Sequence, residues 1–267
     1  MESKILNKNR LIIENILKEH QSDIKFFKKS HEYVSRSEPD IKFTPITSFV
    51  SIGKPPFNPK EISLKVSQTL DSEYYGIEPK IIMSLWSKNT ARGTKKHKQV
   101  EDYLNKKLKN SCAEELRNFN ITPENCLSEI KVMSKEFRLS GTIDIVEICP
   151  IDENNCDIFI SDIKTYKQLD DERIKSFQEQ IYIYCLIFKN IIKKYKEKHS
   201  EIDINFNVKF GRLVWYKPKN SIINENYEKT DLCCSFEDVK VLKYIPKKYF
   251  CDDINQKLKK WTNDFKK

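Results

Sequence analysis

The 267-residue chain reads as an α/β protein: a mixed sheet of about four or five strands with helices on both faces and a hairpin at its centre. Three observations predict this. GTIDIVEI (141–148) and DIFISDIKT (157–165) are strand-like and joined by a polar loop, so they pair as a hairpin. A long helical stretch follows from about Asp171 to Lys198, with Asp170 or Asp171 to cap it and lysines in its last turns to suit the helix dipole. Residues 203–217 then alternate, through Ile204, Phe206, Val208 and Phe210, as a further strand.

The remaining elements follow in order. Residues 1 to about 40 predict a helix with one apolar stripe (Leu11, Ile12, Ile13, Ile16, Leu17), then a charged segment ending near Pro39. Pro45 to Pro59 reads as a loop with short extended pieces. A helix spans about Pro59 to Leu70, and another begins near Glu78 and includes Ile81, Ile82, Leu85 and Trp86. After Gly93, the run Thr94 to Lys109 is helical, with Val100, Leu104 and Leu108 as its stripe. Asn118 to Thr122 is a break. Cys126 to Phe137 is ambiguous, with a strand placed just before Leu139. Val239 to Tyr244 suggests a short strand, and Asp252 to Phe265 a closing amphipathic helix. With no internal repeat and no low-complexity linker, residues 45–267 read as one domain preceded by a helical N-terminal extension over 1–44.

Composition narrows the function. The formal net charge is +9, mostly lysine, which favours polyanionic partners because lysines at phosphates release counterions. Solvated lysine-rich helices are the plainer explanation of the same excess. Five glycines speak against a Gly-rich nucleotide-binding design. The eight cysteines lack the short repeated spacing of a zinc site. There is no apolar leader and no run long enough to span a bilayer. The expectation is an intracellular protein with free thiols, neither secreted nor membrane-bound.

The hairpin carries the chemistry. With its turn centred near Glu153, Asp144 falls opposite Asp162, on one face at ~5 Å. Lys164, two residues on, shares that face. Two opposed carboxylates repel unless a cation lies between them, and Mg²⁺ takes oxygen ligands of this kind. A cross-strand Asp–Lys pair at a sheet edge is the plainer alternative. Against it, Ile143, Ile145, Ile158, Ile160 and Ile163 make both strands apolar enough to lie inside the sheet.

GTIDIV, then SDIKT, then QIYIY resembles the PD-(D/E)XK nuclease superfamily in its RecB-type branch. That branch shows a Gly-x-x-Asp strand, an Asp-x-Lys strand and a helix bearing Gln-x-x-x-Tyr. Gly141 and Asp144 match the first, Asp162 and Lys164 the second. Gln180 and Tyr184 match the third, although Gln178 and Tyr182 have the same spacing; Gln180 is preferred because the apolar run IYIYCLIF follows it. RGTKKHKQVEDYL supplies the branch's upstream metal-binding histidine as His97, with Glu101 one turn later. From PITSFV through SLWSKNTARGTKKH the chain is also similar to nucleases of this branch in large DNA viruses, so the resemblance spans residues 45 to 216.

The resemblance implies a restriction-endonuclease-like fold and a Mg²⁺- or Mn²⁺-dependent DNA nuclease, an exonuclease rather than an endonuclease, serving DNA replication, repair or recombination. Its substrate would be single-stranded or carry a free end. His97, Asp144, Asp162 and the Ile163 carbonyl would ligate metal, with Glu101 a further candidate. Lys164 would orient or activate water, Gln180 and Tyr184 would steer Lys164 or contact phosphate, and Arg138 and Arg173 are candidate phosphate contacts. Tyr166, Trp86 and Phe177 are aromatics able to stack on unpaired bases, or to pack in the core. Some members hold an iron–sulfur cluster; Cys233, Cys234 and Cys251 do not fit that pattern, and none is expected. Two alternatives stand beside this reading: an RNA endonuclease of the cap-snatching type, and a non-catalytic nucleic-acid-binding module.

Overall fold

The computed structural model describes residues 2–107, 113–166, 168–218, 236–243 and 248–265. Helix α1 (Glu2–Ser22) buries Ile13, Ile16 and Leu17 of the stripe seen in the sequence. It is tied to the sheet by Gln21, which donates to the Lys131 carbonyl, and by His20, whose Nε2 accepts from the Met133 amide. The charged segment after it forms an antiparallel hairpin, β1 (Ile24–Phe27) and β2 (Glu32–Ser35). Lysines in and around its turn conceal its strand character in the sequence. The supposed loop at 45–59 opens with a two-residue strand, β3 (Thr44–Pro45), and one short helix, α2 (Ile46–Val50), which buries Ile46, Phe49 and Val50. Helix α3 (Pro59–Gln68) has Asn58 as its cap and proline in its first turn.

The two helical runs on either side of Gly93 are one continuous helix, α4 (Pro79–Leu104). Gly93 does not break it. A Cβ there would lie 2.6 Å from Thr165 Oγ1, so the glycine marks a close approach to the sheet. A 3-10 turn at Glu114–Phe119 leads to β4 (Cys126–Ser134), β5 (Leu139–Pro150) and β6 (Asn155–Lys164). The strand of the ambiguous 126–137 stretch thus comes first, and the turn lies just before Leu139. Helix α5 (Asp171–Lys198) is capped by Asp170, whose side chain accepts from the Arg173 amide. Strands β7 (Asn205–Pro218) and β8 (Phe236–Lys243) and helix α6 (Lys248–Asn263) complete the described chain.

The central sheet has six strands, with β4, β5, β6, β7 and β8 side by side and β3 on the first residues of β5. It is mixed: β4–β5–β6 and β7–β8 are antiparallel, β6–β7 parallel. One apolar cluster joins α1, α2, α5 and α6 to the sheet; a second joins α4 and the 3-10 turn to it through Val100, Leu104, Leu116, Ile145, Ile163 and Val214. Helices therefore cover both faces, as expected.

The register of β5 and β6 runs from Pro150 opposite Cys156 to Ile145 opposite Ser161. β6 then parts from β5 and stays with β7 as far as Lys164 opposite Trp215. β5 continues with β4, down to Leu139 opposite Ser134. The strands fork at Asp144 and Asp162.

On the α4 side of the fork a polar network lies inside the sheet. A bulge near Gly211 lets the Arg212 amide donate to Ser161 Oγ (2.9 Å), while Ser161 donates to Glu147 Oε1 (2.6 Å). The Arg212 guanidinium grips both Glu147 oxygens and donates to the Phe119 carbonyl. Glu147 is 2% exposed, so removing its partner strands a buried charge. Arg212→Met should lower the unfolding free energy by about 3–5 kcal/mol in denaturant titrations, and Glu147→Met in the same chain should restore most of the loss. Equal losses in the single and double variants would refute the pairing.

Candidate active site

The fork gathers side chains from four elements. β5 supplies Asp144, β6 supplies Asp162 and Lys164, α4 supplies His97 and α5 supplies Gln180. His97 Nδ1 lies 3.5 Å from Asp144 Oδ1. Where the ladder ends, the Ile163 amide donates to Asp144 Oδ2 (2.7 Å), so a carboxylate replaces a backbone partner and props the strands apart. Lys164 Nζ is 2.6 Å from Asp162 Oδ2 and 3.4 Å from Gln180 Oε1, and Gln180 Nε2 donates to Asp162 Oδ1 (3.3 Å). Of the two Gln-x-x-x-Tyr registers, Gln180 and Tyr184 face the fork, whereas Tyr182 meets Asn255 of α6. The reason for Gly141 is Tyr184: a Cβ at 141 would lie 2.5 Å from the Tyr184 hydroxyl.

A further carboxylate, not foreseen from the sequence, completes the cluster. Ligand atoms of His97, Glu129 and Asp144 lie within 4.8 Å of one another. In β4, Ser128 pairs with Ile145 and Ile130 with Ile143, so Glu129 falls opposite Asp144. Its φ is +54°, unusual for a residue with a side chain and especially within a strand. The signal was available: if the β4–β5 turn is centred between Glu136 and Phe137, the residue opposite Asp144 is Glu129. Carboxylates on the adjacent strands β4 and β5 thus converge with His97, and the Asp162 charge of β6 lies next to them.

The other sequence candidates lie elsewhere. Glu101 is turned to Lys98 (2.9 Å) and Lys107 (3.8 Å). Arg138 lies over the Phe265 ring at 4.6 Å. Arg173 donates to the Gln168 carbonyl (3.1 Å) and lies over Tyr166. Trp86 packs between Phe57 and Tyr74. Cys126, Cys149, Cys156, Cys185 and Cys251 are free thiols, and Cys112, Cys233 and Cys234 lie outside the described residues. No helix among the described residues is long and apolar enough to cross a membrane.

The charges separate the two aspartates. Burial would raise Asp144, but His97, Lys164 and the Ile163 amide outweigh it and hold the carboxyl below its ordinary value. Burial and the Asp144 charge push Asp162 up to about 6, against the pull of Lys164. Burial works against a charged Lys164 and a charged His97, yet the aspartates beside them raise both. Tyr184 is driven well above its ordinary value by burial and by the same two carboxylates, so it is a donor at neutral pH.

The donor set fits a divalent cation. Two carboxylates and an imidazole, those of Glu129, Asp144 and His97, converge, and the Asp162 carboxylate paired with Lys164 lies beside them. Carboxylate oxygens suit Mg²⁺ or Mn²⁺, and the imidazole shifts the balance toward Mn²⁺.

Burial and the Asp144 charge bring Glu129 to about 7 from 4.5. The fold therefore binds this proton more tightly than the unfolded chain does. The stability it brings is fully present below about 4.5 and is lost as pH rises through about 7. In the presence of a chelator, Glu129→Gln should match wild type in Tm at the acid end of that range and exceed it above about 7. Parallel Tm profiles for the two proteins would contradict this.

The search of the curated proteins returned no match. The family model of the PD-(D/E)XK nuclease superfamily matches residues 77–266, which hold the whole fork and most of the chain. The chain belongs to the PD-(D/E)XK nuclease superfamily.

Proposed function

We propose that this protein is a divalent-metal-dependent deoxyribonuclease of the RecB-type branch that degrades DNA from a free end, inside the cell. The observation that carries the reading is the cluster of His97, Glu129 and Asp144 beside the Asp162–Lys164 pair where the strands part. The net charge of +9 supports a polyanionic substrate. Residues 45–267 would carry the activity, with α1 packed beneath.

His97, Asp144, Asp162, Glu129 and the Ile163 carbonyl would hold Mg²⁺ or Mn²⁺, which when bound polarises a phosphoryl oxygen and makes a bound water more acidic. The chain's own groups do the rest. Lys164 is raised above its ordinary pKa and is thus a fixed positive charge, not a base. Its task is to orient water and to stabilise charge developing on phosphorus. Gln180, bonded to both Lys164 and Asp162, fixes their relative position. Tyr184 supports the same face as a donor.

Two measurements test the reading. With Mg²⁺ or Mn²⁺, wild type should shorten end-labelled linear DNA and spare closed circles. Asp144→Asn, Asp162→Asn and Lys164→Ala should each lose about 100-fold or more in rate. Variants that cut as well as wild type would overturn the site, cut circles the end preference, and faster cleavage of RNA the substrate. In calorimetric titrations, His97→Ala and Glu129→Gln should each weaken Mn²⁺ binding by about tenfold or more; unchanged affinity would remove that residue from the metal set.

A further inference from the structure

Four side chains run in an unbroken series from the floor of the fork to the surface. Lys164 Nζ lies 4.7 Å from the Phe177 ring centroid. The rings of Phe177 and Tyr166 are 5.5 Å apart and inclined by 35°. The Arg173 guanidinium lies 5.4 Å from the Tyr166 ring. Phe177 is 8% exposed and belongs to the core side of this series; Tyr166 is 43% exposed and forms its outer end.

Tyr166 is held from several directions. It follows Lys164 by two residues, and its carbonyl accepts from Trp215 Nε1 at 2.7 Å. Trp215 is itself the β7 partner of Lys164. Arg173 is fixed on the first turn of α5 by Gln168 and Asp170. An exposed aromatic whose backbone and ring are both restrained loses little freedom when something stacks on it. Its distance from the reacting atoms is set by one intervening ring.

We propose that Tyr166, with the Arg173 guanidinium over its ring, is a stacking platform for the unpaired base of the nucleotide adjoining the scissile phosphate. The platform takes single-stranded nucleic acid, or an end frayed to a single strand. Every base has a π face, so the contact is tolerant of sequence, as degradation along a strand requires. The inference rests on the nuclease reading for the position of the strand. A tyrosine that only shields Phe177 would affect stability and leave a bound base unstacked.

The test reads stacking directly. 2-Aminopurine is placed at successive positions of a single DNA strand, and its fluorescence is followed on titration with full-length protein in Ca²⁺. Wild type should quench the probe strongly at one position. Tyr166→Ala should abolish that quenching and weaken binding by about tenfold. Tyr166→Phe and Tyr166→Trp should keep both, which controls for folding. In Mg²⁺, Tyr166→Ala should lose its rate on oligonucleotides chiefly through KM. Cleavage of a nucleoside p-nitrophenyl phosphodiester, which has no adjoining base, should be within about twofold of wild type.

Equal quenching by wild type and Tyr166→Ala, with cleavage intact, would overturn the platform and leave the nuclease reading standing. Quenching that needs Tyr166 in a protein that cleaves nothing would support the platform and overturn the nuclease. Absence of both binding and cleavage would overturn both.

Discussion

The structure depends on bringing like charges together where a sheet would ordinarily forbid it. Directly opposed carboxylates on neighbouring strands repel, and burial makes the repulsion stronger. Here the row extends over three strands, from Glu129 through Asp144 to Asp162. The chain accommodates it by ending the β5–β6 ladder at that row. Asp144 then takes the Ile163 amide that the ladder no longer uses, Lys164 neutralises Asp162 from the same strand, and His97 reaches Asp144 from a helix. The fork follows from the charges it has to contain.

Distant features serve the same constraint. His97 is one turn beyond Gly93, and Gly93 is where α4 comes close enough to touch Thr165 at the end of β6. A side chain at 93 would lift the helix and withdraw the imidazole. Gly141 admits the Tyr184 phenol beneath β5 and so sets how closely α5 lies on the fork. Gln180 stands one turn earlier on that helix and bridges Lys164 and Asp162. The Glu147–Ser161–Arg212 network lies on strand positions adjoining Asp162 and stiffens the part of the sheet from which the strands separate. Even α1, outside the family match, underlies the strands through Ile13 and Ile16, and Tyr33 of β2 meets Thr142 (2.7 Å) two residues before Asp144.

Much of this was legible in the sequence, for definite reasons. The β5–β6 hairpin has a short polar turn between apolar strands, so arithmetic fixes its register, and the observed pairs sum as Asp144 and Asp162 do. The limits of α5 were marked by a capping aspartate and closing lysines. Glu129 was hidden because CLSEIKVMS mixes polar and apolar residues without clean alternation, and its strand is held by neighbours more than by its own composition. The continuity of α4 was hidden because a helical glycine reads as a break unless the residue it approaches is known. The hairpin of β1 and β2 was hidden by its lysines. Local pattern reveals what local physics determines; Glu129 and Gly93 answer to contacts far along the chain.

The balance of charge in the fork explains why its acids are so unequal. Three carboxylates face the Lys164 ammonium and the His97 imidazole. In a low-dielectric site the surplus is relieved by keeping protons: burial and the Asp144 charge raise Asp162 to about 6 even against Lys164, and burial and the same charge raise Glu129 to about 7. Asp144, held by His97, Lys164 and the Ile163 amide, stays ionised. A divalent cation bound here would compete with protons for the same oxygens, and its affinity would rise with pH through the range in which Asp162 and Glu129 give up their protons. The mutual repulsion of these carboxylates and their attraction for a cation are one quantity seen from two sides.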